Sequence, residues 1–129
     1  MRLFEELWQE GRMEAADQLV SPDYVADAPG KADLRGPEGL KELVRDYRSG
    51  FPDLVVAVNN QLAEGDRVVT EFSMKGVHTG NWTGVRATGK EISLGGTAFS
   101  QVTDGKVARQ WYEWDRRKIL EQLEIMPRV

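Results

Sequence analysis

The chain has 129 residues, 40% hydrophobic and 29% charged, which predicts one globular domain over residues 1–129 and excludes a disordered or membrane-embedded chain. Its 17 basic and 21 acidic residues give a net charge of −4, which argues against a nucleic-acid partner. With no cysteine, one histidine and no long apolar segment, the chain lacks the residues for disulfides, a histidine-based metal cluster, a signal region or a membrane span, so we expect a cytoplasmic protein without membrane contact.

The N-terminal third predicts helices separated by a loop. Apolar residues recur at helical spacing in 3–8 and again in 15–20, which indicates two short helices or one broken helix. Residues 23–35 contain proline, glycine and scattered acids, and we expect an irregular loop there. A further helix is predicted to open at Gly36-Pro37-Glu38 and to end at Phe51-Pro52-Asp53. Its apolar stripe consists of Leu40, Leu43, Val44 and Tyr47.

The rest of the chain predicts two β-hairpins and a closing helix. The first hairpin has strands at 54–63 and 67–79, and the second has strands at 90–102 and 106–115. Residues 80–89 are too rich in glycine for a regular strand. The last helix contains residues 119–123. Helices followed by antiparallel strands favour an α+β fold in which the helices cover one face of a curved sheet.

The last predicted strand is dense in aromatic residues and ends on a carboxylate. Its side chains alternate between faces, so one face carries Trp111, Glu113 and Asp115, and the other carries Gln110, Tyr112 and Trp114. A carboxylate beside an indole can be tuned by desolvation into a proton-transfer group. Asp115 also precedes a helix, where aspartate is a preferred N-cap, so both interpretations stay open.

The other candidate residues also have two interpretations each. His78 shares a face with Phe72 and Met74, which we expect to be the helix-covered face, but it can equally be held by backbone groups in the turn at 76–80. Glu113 is either a second acid or an ion-pair partner of Arg109. Asp27 lies in the predicted loop, where aspartates mostly serve turns.

Several short motifs together resemble one family. They are Gly36-Pro37-Glu38-Gly39, Phe51-Pro52-Asp53, Glu64-Gly65-Asp66-Arg67-Val68, Gly76-Val77-His78-Thr79-Gly80, Thr88-Gly89-Lys90, Asp104-Gly105-Lys106-Val107, Trp111 with Asp115, and Gln122-Leu123. In this order, and over nearly the whole chain, they resemble the SnoaL-like polyketide cyclases of the nuclear-transport-factor-2-like superfamily. One departure is Asp27-Ala28-Pro29, which stands where many relatives carry a histidine in a His-Asp-Pro-like stretch.

The resemblance implies a fold and a chemistry. The expected fold is a cone-shaped α+β barrel, with helices packed on a strongly curved antiparallel or mixed sheet that encloses a pocket. The expected protein is a cofactor-independent homodimer, joined through the open face of the sheet, that binds a small apolar or aromatic, carbonyl-rich molecule. The family's characterised cyclases close a ring by intramolecular aldol condensation, with an aspartate at the position of Asp115 as acid and base.

The same resemblance suggests roles for the other candidates. His78 would donate a hydrogen bond to the developing oxyanion, while Trp111, Phe72 and Met74 would form one apolar bed for a flat polycycle. Trp82 would fold over the mouth, and Glu113 and Asp27 would be polar groups of the pocket. The alternatives are a non-catalytic small-molecule-binding domain of the same fold and a cofactor-independent hydroxylase or isomerase.

Overall fold

The structure of the protein, a computed structural model, describes residues 2–125 and is built on one curved six-stranded sheet. The strands are β1 (Val20–Ala28), β2 (Lys31–Arg35), β3 (Val55–Glu64), β4 (Arg67–Val77), β5 (Glu91–Thr103) and β6 (Lys106–Trp114). Their order across the sheet is β2-β1-β6-β5-β4-β3. The β1–β6 pair is parallel and every other neighbouring pair is antiparallel, so the sheet is mixed.

Helices cover one face of this sheet. They are a π-helix at Leu3–Gln9, α1 at Glu14–Leu19, α2 at Gly36–Gly50 and α3 at Arg116–Gln122. The prediction of an α+β, cone-shaped sheet covered by helices is therefore confirmed. No helix within residues 2–125 combines the length and apolar character that a membrane crossing needs.

Two short helices open the chain, as the spacing of apolar residues predicts. The Arg48 guanidinium stabilises the end of the first one, because it donates hydrogen bonds to the carbonyl oxygens of Trp8 at 2.8 Å and Gln9 at 3.1 Å. Gly11 follows in the left-handed region, with φ of 72°, and turns the chain into α1.

The predicted loop at residues 23–35 is wrong, because this segment forms β1 and β2. The two strands make a hairpin around Gly30, which has φ of 80°. β1 also pairs in parallel with β6, which lies near the other end of the chain. Tyr24 and Ala26 point to the buried side at strand spacing. Long-range pairing, which local composition does not encode, thus decides the structure of this segment.

The later elements agree with the sequence prediction. α2 begins with proline in its first turn, and its stripe of Leu40, Leu43, Val44 and Tyr47 is buried. Both predicted hairpins are present, with β3 paired to β4 and β5 paired to β6. The segment between β4 and β5 contains one isolated bridge, from Trp82 to Val85.

The space between helices and sheet is filled by a cluster of aromatic side chains. Its members are Phe4, Trp8, Tyr47, Phe51, Phe72, Trp82, Tyr112 and Trp114. Two of the three indole N–H groups in this cluster are paired: the Trp114 Nε1–H donates to the Tyr47 hydroxyl at 2.9 Å and the Trp8 Nε1–H donates to the Tyr112 hydroxyl at 3.3 Å. These bonds let Trp8 and Trp114 lie in the interior without the cost of unsatisfied polar atoms.

Candidate functional site

The sheet divides the predicted site residues into two sets. The inner, helix-covered face carries Phe72, Met74 and His78, all buried. The predicted alternation along β6 is confirmed, but its helix-covered members are Gln110, Tyr112 and Trp114. Trp111 and Glu113 lie on the outer face of the sheet, where Asp27 pairs with Trp111.

The predicted common bed of Trp111, Phe72 and Met74 is wrong. Trp111 lies on the outer face, where its ring contacts Phe99 with centroids 5.6 Å apart and the Arg109 guanidinium stacks 4.9 Å from the ring centroid. Phe72 instead packs inside against Phe4, 5.2 Å between ring centroids. Two sets of side chains on opposite faces of one sheet cannot contact the same face of a flat ligand.

Asp115 lies exposed at the C-terminal end of β6. Its Oδ1 accepts a hydrogen bond from the Lys118 backbone N–H at 3.2 Å, so the side chain is the N-cap of α3. The carboxylate has a second oxygen, so capping and proton transfer do not compete for the same atom.

A groove of about 540 Å³ runs past Asp115 and is called the Asp115 groove below. It is lined by Asn59, Glu71, Phe72, Gly95, Gly96, Thr97, Glu113, Trp114 and Asp115. Glu71 and Glu113 flank Thr97 in register on the two neighbouring strands, which places two further carboxylates in the groove. The groove therefore contains carboxylates that can transfer protons. The same negative charges repel an anionic group of a ligand.

A second hollow, of about 220 Å³, adjoins the Asp115 groove and is called the β1 hollow. It is lined by Asp27, Ala28, Pro29, Trp111, Tyr112, Glu113 and Trp114. Asp27 serves the β1–β2 hairpin, because its Oδ1 accepts from the Asp33 N–H at 2.8 Å. Its Oδ2 also pairs with Arg109 at 3.6 Å. Arg109 thus pairs with Asp27 rather than with Glu113 as one interpretation predicted.

His78 is fully buried and holds the turn before β5. Its Nδ1 accepts from the Thr88 N–H at 3.2 Å and lies 3.0 Å from the Thr88 hydroxyl, so the neutral ring carries its proton on Nε2. Nε2 has no hydrogen-bond partner within residues 2–125. His78 and Asp115 lie beside different parts of β5. The His78 backbone N–H donates to the Lys90 carbonyl oxygen, whereas Asp115 lines the groove together with Gly95. The five residue steps from Lys90 to Gly95 span about 17 Å, so the structure does not bring His78 and Asp115 together.

The prediction that Trp82 folds over the mouth of the pocket is wrong, because Trp82 is packed into the interior. Its ring contacts Tyr47 at 5.7 Å and Phe51 at 6.0 Å between centroids, and only 1% of the residue is exposed. Two glycines allow this approach, because a Cβ at Gly50 would lie 2.4 Å from the Trp82 Cβ and one at Gly80 would lie 1.9 Å from the Ser49 carbonyl oxygen. The loop at 80–89 is therefore anchored against the C-terminal end of α2.

A third cavity, of about 140 Å³, lies beside Trp82 and is called the Arg116 cavity. It is lined by Pro29, Gly30, Lys31, Leu43, Asp46, Tyr47, Trp82, Thr83 and Arg116. The Arg116 guanidinium lies 5.3 Å from the Trp82 ring centroid. Sequence reasoning missed Tyr47 and Arg116 as site residues. The basic run at 116–118, unfavourable at a helix start, is the signal that could have found Arg116.

The side chains of residues 2–125 form no cluster of three or more histidine, aspartate or glutamate residues able to hold a metal ion.

The curved α+β sheet with its helix-covered face is a ketosteroid isomerase-like fold. A protein of that fold from Catenulispora acidiphila DSM 44928 superposes with a TM-score of 0.77 at 14% identity, over 96% of this chain and 94% of that one. Within this fold, the chain belongs to the SnoaL-like polyketide cyclase family, whose profile matches residues 1–123.

Solved structures of higher identity agree with this assignment. A protein described as a candidate SnoaL-like polyketide cyclase from Jannaschia sp. CCS1 has a TM-score of 0.88 and 26% identity, over 98% of this chain and 89% of that one. AclR from Streptomyces galilaeus, described as a candidate hydroxylase, has a TM-score of 0.81 and 27% identity, over 96% of this chain and 78% of that one. No curated protein sequence matches this chain.

Proposed function

We propose that the protein is a cofactor-independent polyketide cyclase that closes a ring of an aromatic, carbonyl-rich polyketide by intramolecular aldol condensation. The observation that supports this is Asp115, an aspartate at the end of β6 in a groove of about 540 Å³, in a chain of the SnoaL-like polyketide cyclase family. The substrate lies along the Asp115 groove with its reacting carbon at the carboxylate.

Asp115 acts first as base and then as acid. It removes a proton from a carbon flanked by carbonyl groups, and the resulting enolate carbon attacks a ketone carbon of the same molecule. One carbon–carbon bond forms, and the new alkoxide takes the proton back from Asp115. The product is an isomer of the substrate, so no electron donor, acceptor or leaving group is needed, and positioning of the two reacting carbons supplies much of the rate.

The decisive variant is Asp115→Asn, because asparagine caps a helix as well as aspartate does but cannot transfer the proton. We expect kcat for ring closure of an anthracycline-type keto ester to fall by about a hundredfold or more, with an unchanged melting temperature. Chromatography and mass spectrometry measure the ring closure.

Glu113→Gln is the matched control. It removes a carboxylate from the same groove, two residues earlier on β6, and we expect a smaller loss of kcat than in Asp115→Asn. Equal activity of Asp115→Asn and the unaltered protein would overturn the proposed acid–base role.

The remaining predicted site residues act on the substrate from two sides in this proposal. Trp111, Glu113 and Asp27 contribute to the wall of the β1 hollow, while Phe72 lines the Asp115 groove and Met74 is buried on the same face of β4 as Phe72. For His78, the sequence prediction of an oxyanion donor is tested by His78→Asn, which keeps an acceptor for the Thr88 N–H but removes the Nε2 proton. Because His78 lies far from Asp115, we expect kcat to stay unchanged, and a drop in kcat at unchanged stability would instead support that role.

A non-catalytic small-molecule-binding domain is the second candidate, and the closely packed aromatic interior supports the absence of catalysis because it leaves little room for a substrate between helices and sheet. If the unaltered protein binds the polycycle tightly but leaves it unchanged, the family's cyclase chemistry does not extend to this chain. A hydroxylase, as suggested by the description of AclR, would consume oxygen during turnover, whereas an aldol cyclase or an isomerase would not.

We also propose that two copies join through the outer face of the sheet. Leu62, 69% exposed, lines a hollow of about 780 Å³ on this face together with Val69 and Phe99. Burial of exposed apolar area against a second copy would stabilise a dimer. Light scattering of the unaltered protein and of Val69→Lys tests this: we expect a dimer that becomes monomeric in the variant, and a monomer in both would overturn the proposal.

A further inference from the structure

The Arg116 cavity contains a buried hydrogen-bond donor that the fold leaves unused. The Trp82 side chain lines this cavity, and its Nε1–H has no acceptor among residues 2–125. Buried polar groups are paired in the great majority of cases, so an unpaired indole N–H on a side chain that lines a cavity indicates an acceptor that comes from outside the chain.

Tyr47 supplies a second donor to the same cavity. Its hydroxyl oxygen accepts from the Trp114 Nε1–H at 2.9 Å, which leaves its own proton available. Burial raises the pKa of Tyr47 to about 12, and the nearby positive charge of Arg116 partly opposes this increase. The hydroxyl is therefore protonated at neutral pH and can donate.

The charged side chains that line the cavity are Lys31, Asp46 and Arg116, which together carry one net positive charge. The Lys31 ammonium pairs with the Asp46 carboxylate at 2.5 Å and with Glu42 at 2.8 Å. No carboxylate pairs with Arg116 in the part of the chain that the structure describes, whereas its neighbour Arg117 pairs with Glu121 at 3.2 Å. A planar guanidinium without a partner matches the two oxygens of a carboxylate.

We propose that the Arg116 cavity binds a carboxylate, with Trp82 and Tyr47 donating to its oxygens and Arg116 balancing its charge. The cavity volume of about 140 Å³ suits a carboxylate and the edge of the ring that bears it. Glu71 and Glu113 exclude the same anion from the Asp115 groove, so the charge pattern favours one orientation of an acidic ligand.

The position of the cavity links this inference to the reaction. The β1 hollow shares Pro29 with the Arg116 cavity and shares Glu113 and Trp114 with the Asp115 groove. The three hollows are therefore neighbours in the fold, and the ligand of this proposal extends from the Arg116 cavity towards Asp115. This step rests on the proposed function: the polyketide that the enzyme cyclises carries a free carboxylic acid at the end remote from Asp115.

Binding is tested without turnover, with benzoate as the probe and methyl benzoate as its neutral match. The indole N–H resonance of Trp82 in ¹⁵N-labelled protein, identified by its loss in Trp82→Phe, reports on the cavity. We expect benzoate to shift this resonance in a saturable way, while methyl benzoate at the same concentration does not. Equal shifts with both probes, or no shift with either, would overturn the carboxylate site.

A matched pair of arginine variants tests the role of charge at the cavity itself. Arg116→Gln and Arg117→Gln remove the same charge from adjacent positions, but only Arg116 lines the cavity. We expect benzoate affinity to fall about tenfold or more in Arg116→Gln and to change little in Arg117→Gln, because a charged hydrogen bond is lost only in the first. Arg116→Lys, which keeps the charge, should recover part of the affinity.

The outcomes separate the site from the reaction. Equal weakening in Arg116→Gln and Arg117→Gln would mean that net charge alone attracts benzoate, and the site would be rejected. Benzoate binding that depends on Arg116, in a protein that closes no ring, would support the carboxylate site and overturn the cyclase. Ring closure of the methyl ester at the same kcat/KM as the acid would overturn the acidic-substrate inference alone.

Discussion

The two faces of β6 use the same type of side chain for different purposes. Trp114, on the inner face, contacts Trp8, Tyr47, Phe72 and Tyr112 and donates its N–H to Tyr47. Trp111, on the outer face three residues earlier, contacts only Phe99 and Arg109 among the ring contacts of residues 2–125. Aromatic density in a strand therefore indicates neither core nor ligand site until the partners of each ring are known.

The largest expected difference between the faces is in stability. Trp114→Ala should lower the free energy of unfolding by about 3–5 kcal/mol, because it leaves a cavity in the aromatic cluster and removes a hydrogen bond. Trp111→Ala should cost only about 1 kcal/mol, since the ring is partly exposed and its surroundings are open. Urea unfolding of both variants measures the difference, and similar losses would contradict the division into a packed and an open face.

Two adjacent glycines on β5 provide a second test of the difference between the packed inner face and the open outer face of the sheet. A Cβ at Gly96 would lie 2.6 Å from the Phe72 Cζ and 3.0 Å from the Glu113 carbonyl oxygen, whereas a Cβ at Gly95 would have no neighbour closer than 3.6 Å. We expect Gly96→Ala to destabilise by about 1–3 kcal/mol. Gly95→Ala should be neutral or slightly stabilising, because alanine restricts the unfolded chain. Thermal unfolding tests the pair, and the reverse order of stability would show that the interior accepts extra volume.

The smallest expected effect concerns the end of β6. Asp115→Ala removes the α3 N-cap and should cost about 1 kcal/mol, while Asp115→Asn should cost almost nothing. The two variants should nevertheless lose the same fraction of ring-closure activity, because both lack the carboxylate. Urea midpoints and kcat, measured side by side, check this. Activity that follows stability across the two variants would assign Asp115 a structural role only.

Local sequence patterns predicted the elements that depend on local interactions. Helical spacing located α2, and turn residues at 64–66 and 103–105 located both hairpins. The same approach failed at β1 and β2, since their pairing depends on β6. Proline, glycine and acids at 23–35 resemble a loop when β6 is not considered.

The sequence predicted which site residues share a face of β6, but not which of the two faces is covered by the helices. Alternation along β6 grouped Trp111 with Glu113 correctly, but it gave no indication of which group meets the helices. That choice is made by the helices, which meet Tyr112 and Trp114. The Arg116 cavity was out of reach for the same reason, because α2, the β1–β2 turn and the loop of Trp82 meet there only in three dimensions.

The position of β6 has a consequence for how the protein is made. This strand lies between β1 and β5 in the sheet, although it is the last of the six strands in chain order and so the last of them to leave the ribosome. Until it emerges, β1 has only β2 beside it, and β5 has an open edge that other chains can pair with. Contacts that span most of the chain form slowly. The groove that contains Asp115 is completed with this last strand, so a nascent chain acquires its candidate chemistry only when the sheet closes.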